Sequence, residues 1–130
     1  MIALDASALL ALLFGEAGHD QVAAEIGRCC ISSVNLSEVA SRFARDGFDP
    51  REVCARIGAS SIEVVPFLAA DAATTAALVP MTQTRGLSLG DRACLALALT
   101  RAIPALTADR AWATLKLPIE IRVIRGEKKA

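Results

Sequence analysis

Four carboxylates stand in this sequence where a short apolar run gives way to a helical pattern. Asp5 closes MIALD, Glu38 lies in SVNLSEVASR a few residues after CCIS, Asp91 opens GLSLGDRACLALALT, and Asp109 follows ALT in ALTADRAW. Each also reads singly as helix capping: Asn35 with Glu38 and Ser88 with Asp91 fit capping boxes, and Asp109 fits a plain N-cap. Capping does not explain why Asp5 sits between residues that should be buried, where a carboxylate needs a partner. Nor does it gather four of the 14 acidic residues at one edge. Carboxylates crowded into one crevice raise each other's pKa unless cations intervene. With no His or Cys placed to compete, hard oxygen donors select Mg²⁺ or Mn²⁺. A pair of such ions is common apparatus for hydrolysing phosphodiesters. The chemistry to expect is metal-dependent phosphoryl transfer, with Asp5, Glu38, Asp91 and Asp109 as catalytic and metal-site residues.

Positioning them is the task of alternating strand and helix patterns, the signature of βαβ units on a parallel sheet. Strands are expected at Ile2–Asp5, Cys29–Ser32, Ile62–Pro66, Ala105–Thr107 and Ile121–Ile124. Helices are expected at Ser7–Phe14, Asp20–Arg28, Leu36–Asp46, Pro50–Ile57, Ala72–Val79, Leu89–Ala102 and Arg110–Leu115. Asp49, Pro50 and Glu52 form an N-cap, a first-turn proline and a capping box. In a parallel α/β sheet all four acidic residues fall at the edge where strands end and helices begin, which is where such sheets bind ligands. The closing RGEKKA is polar and expected to fray.

At 130 residues with 54% hydrophobic content, the chain is one domain, 1–130, able to build a core without disulfides or a structural metal. Alanine occurs 26 times, which favours closely packed helices. Fourteen basic residues balance fourteen acidic ones, so any polyanion site must be local. The opening MIALDASALLALLFG contains Asp5 and no basic side chain precedes Arg28, the reverse of a signal peptide. Uncharged stretches are too short for a membrane helix, and a cytoplasmic location is expected. Cysteines 29, 30, 54 and 94 lack CxxC spacing and read as reduced, structural thiols, with Cys29 and Cys30 facing opposite sides of a strand. The one histidine, His19 in the turn-like GEAGHD, excludes a two-histidine ribonuclease mechanism.

The segments LDASALLALL, NLSEVASR, LSLGDRACLALAL and LTADRAW, in this order and spacing, resemble the PIN-domain family, and more narrowly its VapC-type toxin ribonucleases. The resemblance runs from Ile2 to Ile124. It implies a three-layer α/β/α sandwich with a five-stranded parallel sheet ordered 3-2-1-4-5. Asp5, Glu38 and Asp91 would then be the principal metal-site carboxylates, with Asp109 completing the site directly or through water. The edge position of the third strand sets Asp71 apart as a helix cap. Ser7 and Thr107 either order the site, as such hydroxyls do in similar proteins, or simply cap locally. The family further implies a cognate antitoxin lying in a groove formed by the Ala8–Phe14 stretch and the 20–28 helix, and a homodimer.

For an RNA substrate, cations must offset phosphate charge near the acidic cleft. Arg92 and Arg110 each follow a metal-site Asp, Arg42 lies one turn after Glu38, and Arg85 precedes the Asp91 helix; the plain alternative is ion pairing, Glu38 with Arg42 among others. Four Phe, one Trp and no Tyr leave few base-stacking platforms, so recognition should rest on RNA shape and backbone, with Trp112 in the core. Two alternatives stay open. A haloacid-dehalogenase-like phosphatase or nuclease would need a D-x-D pair where this chain has Asp5-Ala6-Ser7. A non-catalytic binding module would show no response to divalent cations.

Overall fold

The computed structural model describes residues 1–124; the RGEKKA tail lies outside them. Five strands, β1 (Ile2–Leu4), β2 (Cys29–Ser32), β3 (Glu63–Val65), β4 (Ala105–Thr107) and β5 (Ile121–Val123), form one sheet in the order β3-β2-β1-β4-β5. Every pairing is parallel, with Ile2 opposite Cys29, Ala3 opposite Ala105, Cys30 opposite Glu63 and Ala105 opposite Ile121. This is the sandwich and strand order that the resemblance implied.

Period-two alternation divides the core between the two faces of the sheet. Ile2, Leu4, Cys29, Ile31 and Leu106 point to one layer; Ala3, Cys30 and Ala105 point to the other. The first layer is covered by α1 (Ala6–Phe14), α2 (His19–Glu25), α3 (Ser33–Arg45) and α4 (Pro50–Gly58), the second by α5 (Ala69–Ala77), α6 (Val79–Thr82) and α7 (Leu89–Arg101). Cys29 and Cys30 therefore do face opposite sides, and all four cysteines are free thiols. Trp112, on the 3-10 turn Arg110–Thr114, is fully buried in the second layer.

Several boundaries differ from expectation for local reasons. The third helix begins at Ser33, not Leu36, because the end of β2 leaves Ser32 extended with its hydroxyl accepting from Val34 N at 3.2 Å. Asn35 is thus inside α3, and the Asn35–Glu38 capping box does not form. Asp49 does cap α4, accepting from Arg51 N at 2.9 Å, while Glu52 bonds Arg56 instead of closing a box. Helix α5 starts three residues early, at Ala69, with Asp71 accepting from Leu68 N at 2.7 Å, so Asp71 caps from inside the first turn. His19 opens α2 because Gly18, at φ +88°, takes the reversal one residue earlier. Helix α6 begins at Val79, the last residue of the expected 72–79 helix, and with the 3-10 turn Gln83–Arg85 it extends into a stretch where no element was expected. No helix among the described residues is long and apolar enough to cross a membrane.

Candidate active site

Three strands of the sheet end side by side, and α1 and α3 start there without a connecting loop. Asp5 occupies the N-cap position of α1 with extended backbone, yet its side chain bonds none of that helix's N–H groups. Instead Ser7 Oγ donates to Asp5 Oδ2 at 2.6 Å and Thr107 Oγ1 donates to the same oxygen at 2.9 Å. Those hydroxyls accept in turn from Ala108 N and Asp109 N, each at 3.0 Å. Ser7 and Thr107 thus order the carboxylate and also fasten the chain leaving β4. Asp5 is only 2% exposed and is among the residues lining a cavity of about 980 Å³; among the described residues no hydrogen bond reaches its Oδ1.

Glu38 stands on the cavity side of α3, in the helix interior, where it caps nothing. Its Oε1 accepts from Asn35 Nδ2 at 2.8 Å, and the same amide donates to Gly90 O at 2.9 Å, tying α3 to the first turn of α7. The Glu38 carboxylate fills the space where a side chain at residue 90 would stand, so glycine is required there for contact rather than for backbone conformation. Asn35 and Gly90 are the site residues that sequence reasoning missed. The one available signal was an Asn, a poor interior helix former, one turn before Glu38.

Asp91 reaches the same cavity from α7. The Ser88–Asp91 capping box forms as expected: Ser88 N donates to Asp91 Oδ2 at 2.8 Å and Asp91 N donates to Ser88 Oγ at 3.2 Å. Asp109 is different. Half-buried, it caps the 3-10 turn by accepting from Ala111 N at 2.9 Å, and it is not among the residues lining the cavity. Its link to Asp5 runs through its backbone N–H and the Thr107 hydroxyl.

A shared pattern emerges from three unrelated segments: Asp5, Glu38 and Asp91 each have one oxygen pinned by a donor and the other unbonded. Burial drives the Asp5 pKa up from 3.8 to about 6; the hydroxyl donors Ser7 and Thr107 hold it down, and the charges of Asp91 and Glu38 push it further up. Glu38 is raised as well, first by burial and then by Asp91, against the Asn35 bond. Hard, mutually repelling donors of this kind fit a divalent cation. Among the described residues no three acidic, His or Cys side chains enclose a common point, so an ion held here would take the rest of its shell from water or substrate, as Mg²⁺ commonly does.

Of the arginines near the site, Arg42 does form an i,i+4 ion pair, but with a different partner from the one expected. Arg42 does not pair with Glu38; its Nε faces Asp46 Oδ2 at 3.6 Å and its guanidinium lies 4.7 Å over the Phe14 ring. Arg92 Nη1 donates to Leu87 O at 2.9 Å, Arg85 Nε donates to Thr114 Oγ1 at 2.6 Å, and Arg110 is exposed. Of the four, Arg42 lines the cavity, joined there by Arg45.

Comparisons with known proteins follow this geometry. The model for the PIN domain matches residues 2–116. No curated protein matches the sequence. In fold the chain is similar to a toxin-antitoxin complex from Klebsiella pneumoniae, with 22% identity and a TM-score of 0.66 over 92% of this chain and 98% of that one. It is likewise similar to the DNA-bound VapBC of Salmonella typhimurium, with 19% identity and a TM-score of 0.68 over 95% and 98% of the two chains. Mycobacterium tuberculosis VapC20, a Sarcin-Ricin loop cleaving toxin, gives 18% identity and a TM-score of 0.72 over 92% and 99%.

Proposed function

The chain belongs to the PIN domain family, and on that footing we propose that it is a Mg²⁺- or Mn²⁺-dependent endoribonuclease, the toxin of a toxin-antitoxin pair. The observation that carries this reading is the trio of carboxylates from α1, α3 and α7, each held by one oxygen and open at the other, around a cavity at the carboxyl edge of the sheet. Asp5, Glu38 and Asp91 would hold the cation, with Asp109 contributing through water. When bound, a divalent ion neutralises charge on the phosphodiester and makes water a better nucleophile at neutral pH.

The protein's own groups supply position and dryness. Ser7 and Thr107 fix the Asp5 carboxylate by its Oδ2 at the wall of the cavity, and Asn35 fixes Glu38. Burial removes competing water from Asp5 and raises its pKa to about 6, so protons compete with a cation for this carboxylate only as pH falls toward 6. Attack of water on phosphorus with departure of the 3′-oxygen leaves 5′-phosphate and 3′-hydroxyl ends.

Three structural neighbours bear on a partner, since two are toxin-antitoxin assemblies and the third is a toxin by their descriptions. Beside the cavity, Leu13 and Phe14 of α1 are 46% and 39% exposed, which suits an antitoxin segment laid along that helix. A homodimer and a cytoplasmic setting complete the proposal. The non-catalytic reading draws support from one observation, the absence among the described residues of three carboxylates around one point.

Incubating antitoxin-free protein with total cellular RNA in Mg²⁺, Mn²⁺ or EDTA, beside an Asp5→Asn variant, and sequencing the 5′-phosphate ends, decides between them. Discrete cuts that need metal and vanish in the variant are expected. Cleavage that survives in EDTA or in the variant, or 2′,3′-cyclic phosphate as primary product, would refute the mechanism. A folded protein whose melting temperature no divalent ion raises would favour the binding module.

A further inference from the structure

The cavity is acidic at one end only. Its α3 wall, positions 34, 37, 38, 41, 42 and 45, is a single helix face. Along that face Glu38 is followed by Arg42 one turn later and by Arg45 two turns later, rises of about 6 and about 10 Å. Ser37 stands beside Glu38 on that face and Ser41 beside Arg42, the Ser41 hydroxyl donating to Ser37 O at 2.6 Å.

Arg42 is preorganised. Its guanidinium is seated on Phe14, which stacks on Phe43 at 5.2 Å, and Phe43 meets Phe48 edge-on at 5.7 Å. Asp46 takes its Nε side, and among the described residues no hydrogen bond occupies its terminal nitrogens. Arg45 carries no ion pair or hydrogen bond among the described residues and is exposed. Basic residues in the last turn of a helix also complement its dipole, but that role does not require them to face the cavity that holds the carboxylates.

Resting on the nuclease reading above, we infer that Arg42 and Arg45, with the Ser37 hydroxyl, form a subsite for the backbone phosphate of a single-stranded RNA segment flanking the scissile bond. A guanidinium offers paired N–H donors to a phosphate, and such contacts position a strand without reading its bases. The strand runs along α3, with the phosphate to be cut at the acidic end and a neighbouring phosphate at the arginines.

The test uses a short fluorescein-labelled single-stranded RNA and four proteins: wild type, Arg45→Ala, the double variant Arg42→Gln with Arg45→Ala, and Arg56→Ala, an exposed arginine on α4 outside this cavity. Binding is read by anisotropy in EDTA across a salt series, and cleavage by initial rates with metal. Each lost phosphate contact should lower the slope of log K against log salt by about 0.7 and raise KM about tenfold, with kcat within twofold. Arg45→Lys should recover part of the loss and Arg56→Ala should match wild type. Unchanged slope and KM in the double variant, while Asp91→Asn abolishes cleavage, would overturn the subsite and leave the nuclease standing. RNA binding that depends on the two arginines in a protein that never cuts would support the subsite and sink the nuclease.

Discussion

Replacing Gly90 by alanine should separate stability from activity. A Cβ at this position would overlap the Glu38 carboxylate; to reach ordinary contact at 3.4 Å the carboxylate must retreat by about 1 Å. Glu38 is free to swing at its far end, but the Asn35 amide that holds Oε1 also holds Gly90 O, so retreat costs that bond. Gly90 lies in the first turn of α7 without positive φ, where alanine is the better helix former by roughly 1 kcal/mol. That gain offsets a lost hydrogen bond of about 1 kcal/mol, so the urea midpoint should barely move. A misplacement of about 1 Å in a group that positions reacting atoms costs on the order of a hundredfold in rate. The assay is metal-dependent RNA cleavage under single-turnover conditions, with chemical denaturation on the same preparation. Cleavage within twofold of wild type would refute the claim that Glu38 works from where this structure holds it. A loss of several kcal/mol in stability would show that Glu38 cannot yield and that the site, not the helix, sets the local energetics.

Three further outcomes are expected. Asp5 is protonated more readily in the folded protein, at about 6 against 3.8, so in EDTA its contribution is intact below pH 4 and is lost as pH rises through 6; Asp5→Asn should gain about 3 kcal/mol near neutral pH and nothing at pH 3.5, and a pH-independent difference in urea unfolding would contradict this. Thr107→Val, nearly isosteric and fully buried, removes a donor from Asp5 and an acceptor from Asp109 N; it should cost about 1–3 kcal/mol and show coupling above about 0.5 kcal/mol to Asp5→Asn in a double-mutant cycle. Ala102 ends α7 in the left-handed region at φ 53°, so Ala102→Gly should stabilise by about 1 kcal/mol without touching cleavage, as thermal melts and the RNA assay would report.

The edge on which the carboxylates gather was legible because it follows from topology alone: parallel strands all end on one side, and each acidic segment lies just after a strand or at the head of a helix. Asp5 stood out because apolar neighbours force burial, and Ser88-x-x-Asp91 because a capping box is a local motif. The start of α3 was not legible. Ser32, Ser33 and Asn35 are all good caps, and only the point where β2 stops pairing with β3 selects Ser32. The Asn35–Gly90 bond spans 55 residues, beyond any local pattern. The placement of Arg42 on Phe14 rather than Glu38 was hidden for the same reason, since i,i+4 spacing describes α3 but not the helix packed beside it. Asp109 was read as part of the quartet; in the structure its carboxylate caps a turn while its backbone serves Asp5 through Thr107.

The central place of β1 in the sheet has a consequence for the order in which the molecule is made. β1 is completed by neighbours that follow it in the chain: β2 on one side, and on the other β4, which comes after every helix named above. One of the two hydroxyls that hold Asp5 comes from residue 107, 102 positions further on. Nascent chains lacking β4 hold Asp5 through Ser7 alone, and fragments clipped before β4 lose the same support. The proposed activity would therefore gain the full support of Asp5 only once synthesis has passed residue 107.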